Sequence, residues 1–433
     1  MLAMGNENSD FVNLSSWNRD CYLIYESDNN QNCFYSDHTY VCRDCVDVSY
    51  LNRCQLCHEC LYCMNCYNCT ALQNCENCSD CHLCKNCVGC KNCIGCVNLR
   101  NKEYCFFNEE LSKEEFQKRK TAMSSEQQSQ KFQQFREQFP VKYYEGHGNE
   151  GCTGDYLWNS KDSSQCFDVH NVRDCRHVYN CENSRDCRDT DVYGGQRGME
   201  LIYEGNSVGN GALRCSFNTC LFEDTTDVYY SDFCHTSSFL FGCIGLRHAS
   251  HCILNKKYTK EEYEELMPRI IAHMRTTGEW GEFFPVSVSP HPFNETVAYE
   301  YFPIERDEAL KRGYAWRERS DDISGANKVI PGAKLPALID DIPDDILNWA
   351  IQCEKTQRPF RIIKQELSFY REHHLPVPRL HPDERYKRRL ALRNPRKLWQ
   401  RNCAKCAKEI QTTYSSDRKE IVYCEECYLK EVY

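Results

Sequence analysis

No run of 18 apolar residues occurs anywhere in the chain, so the sequence offers no segment to span a membrane. Its opening, Met1-Leu2-Ala3-Met4-Gly5-Asn6-Glu7-Asn8, lacks the positive n-region and apolar h-region of a secretory signal. Absent too are a phosphate loop, a dinucleotide fingerprint, Gly-x-Ser-x-Gly and His-Glu-x-x-His. His373, His374 and His381 lie close in sequence but without metal-ligand spacing. These absences argue against a membrane protein and against an enzyme, and they identify no small-molecule substrate. The expected setting is cytoplasmic, with thiols kept reduced.

What the chain has in excess is cysteine, 34 among 433 residues. Without a secretion signal, such usage points to metal binding before disulfides. The distribution is ordered. Between Cys21 and Cys105 all 19 cysteines fall in one phase of a three-residue ruler. Rows of 21 residues align Cys21, Cys42, Cys63, Cys84 and Cys105 in one column and Cys33, Cys54, Cys75 and Cys96 in another. A unit too short to bury its own apolar face, repeated in register, is the pattern of a stacked solenoid. A coil of about 21 residues is expected, built from very short strands with bends between them, because a period of three is not the two-residue period of a straight strand.

A second duplication overlies the first. Gly95-Cys96-Val97-Asn98-Leu99-Arg100 reappears 147 residues later as Gly242-Cys243-Ile244-Gly245-Leu246-Arg247. Each copy then reaches a capping pattern, Ser112 with Glu115 and Thr259 with Glu262, so each solenoid hands over to a helix. The second copy looks like the same solenoid with most thiols replaced by aromatics, Tyr229, Tyr230, Phe233, Phe239 and Phe241.

Two readings of the ladder stand side by side, with iron–sulfur clusters or disulfides as a third, though no run is followed by the Cys-Pro such clusters expect. Cysteine packs as a small apolar residue in a narrow core. Alternatively Cys54, Cys57, Cys60, Cys63, Cys75, Cys78, Cys81, Cys84, Cys87, Cys90, Cys93 and Cys96 act as repeated zinc knuckles, with His58 and His82 as further candidate ligands. The latter would make the chain a thiol-rich metal-buffering or redox protein working through the Cys42–Cys96 ladder.

The strongest local motif lies near the C-terminus. Cys403-Ala404-Lys405-Cys406 and Cys424-Glu425-Glu426-Cys427, separated by 17 residues, have the spacing of a four-cysteine structural zinc site. Zn2+ is therefore the expected cofactor. Ahead of the motif runs a basic arm: residues 358–408 hold 15 Lys and Arg against 4 Asp and Glu, in a chain whose net charge is −10. Lys387, Arg388, Arg389, Arg393, Arg396, Lys397 and Trp399 could meet a phosphate backbone and stack on bases, or the arm could dock on the acidic solenoids or a protein partner. Nucleic acid, a ribonucleoprotein and a protein are thus the candidate partners, and no membrane is among them.

The run from Cys353 through Glu366-Leu367-Ser368-Phe369-Tyr370 to His381-Pro382-Asp383-Glu384-Arg385 resembles a short bacterial zinc-binding module with two Cys-x-x-Cys pairs. The resemblance puts Cys353, Thr356, His381 and Glu384 at its ligand positions, so Cys353, His381 and Glu384 are the candidate donors of a mixed site. Over nearly its whole length the chain also resembles an uncharacterised family of cysteine-rich proteins from ultrasmall candidate-phyla bacteria. That likeness is carried by Leu240-Phe241-Gly242-Cys243, Gly278-Glu279-Trp280-Gly281-Glu282-Phe283-Phe284-Pro285, Asn294-Glu295-Thr296-Val297-Ala298 and the tail from Ala391. It implies a bacterial origin and the same layout, and it brings no activity with it.

The expected fold is mainly β: two tandem cysteine-rich β-solenoid units with helical caps, followed by a small α+β zinc-ribbon module. The expected boundaries are 1–111 for the first solenoid, 112–142 for its cap, 143–258 for the second copy, 259–316 for its cap, 317–345 for a linker and 346–433 for the basic helix and ribbon. A further helix is expected to start at Asp344 and carry Ile346, Leu347 and Trp349. The function expected is that of a non-enzymatic zinc-binding structural or interaction protein.

Overall fold

The computed structural model describes residues 3–64, 73–76, 83–191, 195–206, 208–318, 321 and 323–432, and of 3, 62–64, 73–76, 125 and 126 the backbone alone. Its larger part is β-solenoid. Successive coils pair in parallel, with Asp10 opposite Tyr22, Tyr22 opposite Phe34 and Cys33 opposite Cys45, a register of 12 residues. The coil is therefore shorter than the 21 residues expected. Both lengths are multiples of three, so the triplet ruler fits either, and the columns of cysteine at 21 follow composition while the hydrogen bonds close after four triplets. In the second solenoid the register is again 12 between Gly154 and Cys166, and widens to 15 between Arg188 and Tyr203.

Each triplet is one bend. Asp20, Leu23, Glu26 and Asn29 sit in the left-handed region, with φ of 54, 52, 46 and 59°, and each precedes an inward residue: Cys21, Ile24, Ser27 and Asn30, all buried. Such a backbone costs a non-glycine residue on the order of 1 kcal/mol, least at Asn and Asp. Stacking offsets part of that cost. Asn8 donates to Asp20 at 2.6 Å, Asn32 to Asp44 at 2.9 Å and Asn171 to Asn183 at 3.0 Å, each one coil on. Between them, backbone bonds such as Glu7 N–H to Asn18 O at 2.8 Å and Asp20 N–H to Glu7 O at 3.0 Å tie coil to coil.

The inward positions favour a small side chain with a donor. Ser27 Oγ donates to Tyr25 O at 2.7 Å and Ser36 Oγ to Phe34 O at 2.8 Å, and thiols do the same, Cys45 to Arg43 O at 3.2 Å and Cys60 to His58 O at 3.2 Å. The bend at each triplet thus leaves a carbonyl two residues back that an inward Ser or Cys can cap, while sulfur also supplies apolar bulk. In the second solenoid the inward positions mix Cys166, Cys175, Cys181 and Cys187 with Val169, Val172, Val178 and Ile202. Cysteine there interchanges with aliphatic residues and not with the aromatics expected, Phe233 and Phe239 being exposed.

Both solenoids close in one way. Strands Cys105–Phe106 and Glu109–Glu110 form a hairpin around Phe107 and Asn108, both at positive φ, and Leu254 with Asn255 does so for the second copy. Helix α1 (Lys113–Ala122) starts on Ser112, whose hydroxyl accepts from Glu115 N–H at 3.2 Å. It breaks at Met123, and α2 (Ser125–Arg136) restarts on a capping box of Ser124 and Gln127. Phe116 and Phe132 bury against Phe106 and Phe107, covering the end of the stack. Helix α3 (Lys260–Thr277), with the capping box of Thr259 and Glu262, lays Tyr263 and Met267 on Phe241 and Ile253. Two short helices, α4 (Val297–Tyr301) and α5 (Arg306–Lys311), follow.

Residues 317–345 carry Leu335, Ile339 and Ile342 into a core that includes Phe34, Tyr35 and Val46 of the first solenoid. The helix expected from Asp344 is a 3-10 turn over Asp344–Asn348, and Trp349–Gln352 is a strand paired with Lys328–Pro331. Burial of Ala350 and Ile351 on alternate-facing strand positions against this core decides the matter over local helix propensity. Helix α6 (Lys364–Glu372) and helix α7 (Pro382–Leu390) come next. The chain ends with hairpin Trp399–Asn402 and Glu409–Thr412, strand Val422–Tyr423 and helix α8 (Glu425–Val432).

Candidate metal centre

The hairpin Trp399–Asn402/Glu409–Thr412 presents the first cysteine pair. Cys403 N–H donates to Lys408 O at 2.8 Å and Ala407 N–H to Cys403 O at 2.9 Å, a tight turn that requires φ of 60° at Ala407. The second pair rides on the start of α8, where Cys424 and Cys427, three apart, face one way. All four sulfur atoms lie within 4.8 Å of one another, and Cys406 and Cys424 are 3.7 Å apart. A tetrahedral ion bound at about 2.3 Å to each sulfur sets sulfurs about 3.8 Å apart, so the group could hold a metal ion.

The surrounding backbone favours thiolate at one corner. Burial alone would push the Cys403 thiol up, but N–H groups of Cys424, Cys406 and Lys405 outweigh it and hold it at about 6; the Cys424 N–H reaches Cys403 Sγ at 3.2 Å. Cys427 is pushed up to about 12 by burial and then by its three neighbouring thiols.

The module is tied into the rest of the chain. Strand Val422–Tyr423 runs parallel to Val141–Lys142, the strand that enters the second solenoid. Thr412 Oγ1 donates to Tyr143 O at 2.7 Å, and Tyr144 donates to Glu425 Oε1 at 3.0 Å. From the other side, Tyr428 of α8 meets Asn86 and Asn98 of the first solenoid.

No family model and no curated protein matches this chain. Among solved structures, the crystal structure of the polySia specific acetyltransferase NeuO aligns over 62% of this chain and 96% of that one. At 7% identity and a TM-score of 0.07 the likeness carries no argument.

The ladder differs from this centre. Among the described residues the only group of three or more candidate ligand atoms in mutual reach is that of Cys403, Cys406, Cys424 and Cys427. Cys54, Cys57, Cys60, Cys84, Cys87, Cys90, Cys93 and Cys96 are buried in the solenoid core instead. Cys57, Cys87, Cys90 and Cys93 donate to the carbonyls of Gln55, Lys85, Val88 and Lys91. The side chains of Cys63, Cys75, Cys78, Cys81 and His82 lie outside the described residues, while His58 sits edge-on to Tyr370 at 6.3 Å.

A second turn copies the metal knuckle without its metal chemistry. Cys353 N–H donates to Arg358 O at 2.9 Å and Gln357 N–H to Cys353 O at 3.0 Å, with φ of 62° at Gln357, the same bonds as at Cys403 and Ala407. Where Cys424 and Cys427 would stand, α7 begins with His381 and Glu384. These donors do not gather. Glu384 is engaged by Lys355 at 2.8 Å and Lys387 at 3.1 Å, and His381 Nδ1 accepts from Asp383 N–H at 3.1 Å. The ammonium groups put positive charge beside the carboxylate, which they hold below the usual range.

The basic arm is folded inward. Arg389 binds Asp47 at 2.8 Å, Arg388 binds Glu59, Arg393 binds Asp168, and Arg396 binds Asp168 at 3.1 Å and Asn180 at 3.2 Å. Arg393 stacks on Tyr50 of the first solenoid at 4.1 Å and on Tyr156 of the second at 4.8 Å. Arg389 and Arg393 are buried. Lys387 pairs with Glu384, and Lys397 stands over the Trp399 ring at 5.2 Å. Asp47 and Asp168 were invisible as counter-ions in the sequence, where they are two acidic residues among 63.

Proposed function

We propose that the protein is a non-enzymatic zinc-binding scaffold in the cytoplasm, its zinc structural and its two solenoids offering long faces to a protein partner. The reading rests on one observation: four sulfurs converge on a module whose strand Val422–Tyr423 joins the entry to the second solenoid. Four thiolates close the coordination sphere, leaving no position for a water to be activated. When bound, zinc would supply the cross-link between the hairpin and α8 that the small module cannot obtain from its own core. Binding of nucleic acid through the basic arm is the less supported alternative, since Arg389, Arg393 and Arg396 are committed to Asp47 and Asp168. A metal-buffering ladder is less supported again, its described thiols being buried and bonded to carbonyls.

Elemental analysis of anaerobically purified protein tests the reading. It expects about one zinc per chain, lost on replacing Cys406 and Cys427 by serine. Recovery of no metal overturns the zinc claim, and several ions per chain would return the ladder to contention. A retardation assay with duplex and single-stranded probes at low salt addresses the arm, and binding that falls steeply with salt would favour the nucleic-acid alternative.

A further inference from the structure

Five parts of the chain meet around one cavity of about 300 Å³: the first solenoid at Lys85, the end of α2 at Arg136, the entry to the second solenoid at Tyr156, the arm at Leu392, and the metal module at Tyr414 and Arg418. That volume is at the lower end of small-ligand sites. Its cations are unequal. Arg418 is satisfied, donating to Glu420 Oε1 at 3.1 Å and Oε2 at 3.2 Å and to Asn394 Oδ1 at 3.0 Å. The half-buried side chains of Lys85 and Arg136 have no ion pair and no side-chain hydrogen bond among the described residues.

Neither side chain has an enclosed nitrogen, so both cations open onto the cavity with donors that an entering anion could take up. Burial pushes both Lys85 and Arg136 below their ordinary values against the pull of nearby carboxylates. The lining carboxylates relieve it in part: Glu145 and Glu420 attract Lys85, and Glu420 and Glu137 attract Arg136, but none forms an ion pair with either among the described residues. We infer that this cavity is a binding site for a small oxyanion-bearing ligand, a phosphate or carboxylate held between Lys85 and Arg136 with Tyr156, Tyr414 and Leu392 as walls. Guanidinium and ammonium groups facing one space match a planar carboxylate or a tetrahedral phosphate through charge-assisted hydrogen bonds.

Calorimetric titration of the metal-loaded full chain with inorganic phosphate and, separately, with succinate tests this at constant ionic strength set by chloride. One saturable site for at least one of the two anions is expected, and the tighter anion identifies the class. Lys85→Met and Arg136→Gln should each weaken it at least about tenfold, whereas Lys118→Gln, on an exposed face of α1, should leave it unchanged. Thermal unfolding guards against a folding artefact: in chloride alone, Lys85→Met should melt at or above the native temperature, because it removes a half-buried charge that has no ion pair among the described residues, and should no longer respond to the anion. No saturable binding of either anion, native affinity in both cavity variants, or equal weakening by Lys118→Gln would overturn the assignment.

Discussion

Tyr428, one residue beyond Cys427 on α8, donates its hydroxyl to Asn98 Oδ1 at 3.0 Å and accepts from Asn86 Nδ2. Asn86 and Asn98 are successive left-handed residues of one column in the first solenoid, so this phenol reads the coil spacing directly. The metal module therefore grips the flank of one solenoid through α8 and the entry of the other through Val422–Tyr423.

Tyr428→Phe keeps the ring and removes both bonds. A loss of about 1 kcal/mol in unfolding free energy is expected, with metal still bound at its native stoichiometry. Denaturant unfolding beside elemental analysis reads both. Loss of metal in this variant would mean that Tyr428 serves the centre itself.

Asp47 carries two arginines. Its carboxylate pairs with Arg385 and with Arg389, all three side chains being buried. Burial raises its pKa, but the two guanidinium groups outweigh that and hold the acid below its usual range. Asp47→Asn leaves the guanidiniums without their anion, and about 3 kcal/mol or more should be lost. Glu59→Gln, which removes the half-exposed partner of the exposed Arg388, should cost well under about 1 kcal/mol. Equal effects in the two variants, measured by urea midpoints, would contradict the inward docking of the arm.

His38 sets a pH dependence. Its Nδ1 lies 3.0 Å from Asp37 Oδ2, its Nε2 approaches Glu26, and Tyr50 stacks on the ring at 4.2 Å. Burial alone would lower the imidazole pKa, yet Glu26 and Asp37 raise it well above 6.5. Glu300 and Asp191 add to the acidic surroundings across the junction, with Arg396 opposing them. A raised folded pKa means that the imidazolium contributes its full stability below about 6.5 and that this is lost as pH rises through the folded value. Stability should fall on the alkaline side in the native chain, and His38→Gln should flatten that limb. Parallel pH profiles in the two proteins would show that His38 stays neutral.

The three-residue ruler was legible because burial imposes it at every triplet, as at Cys21, Ile24, Ser27 and Asn30. The four-cysteine centre was legible because ligand spacing is local. The coil length was not, since columns such as Cys21 and Cys42 repeat the ruler without being hydrogen-bonded partners, whereas Cys33 and Cys45 are. Left-handed backbone at Trp17, Leu23 and Val41 runs against residue preference, and only coil-to-coil hydrogen bonding overrides it. The meeting of Arg393 with Asp168, more than 200 positions apart, depends on how the solenoids lie and leaves no local trace.

The ladder's chemistry can be separated from its packing at Cys57. This thiol is buried, donates to Gln55 O at 3.5 Å and lies in a core with Cys45, Cys54 and Cys60. Hydrogen bonds with the Cys45, Cys54 and Cys60 thiols, and then burial, raise its pKa far above 9.0, which favours the protonated thiol. Valine matches what the second solenoid uses at other inward positions, Val169 and Val178. Cys57→Val should therefore cost less than about 1.5 kcal/mol, because volume and apolarity are kept and only a weak S–H bond is lost. Cys57→Ser keeps a donor for Gln55 O, as Ser27 does for Tyr25 O, but gives up apolar bulk, and a cost of about 1 kcal/mol is expected. Cys57→Leu adds volume where coils rise only about 4.8 Å apart and should be the most damaging, at about 2 kcal/mol or more. A packing ladder predicts that Cys57→Leu is the most damaging of the three and that metal content is unchanged in all of them. A metal ladder predicts instead that Cys57→Val loses bound metal and stability together, and that outcome would require the thiols to act as ligands.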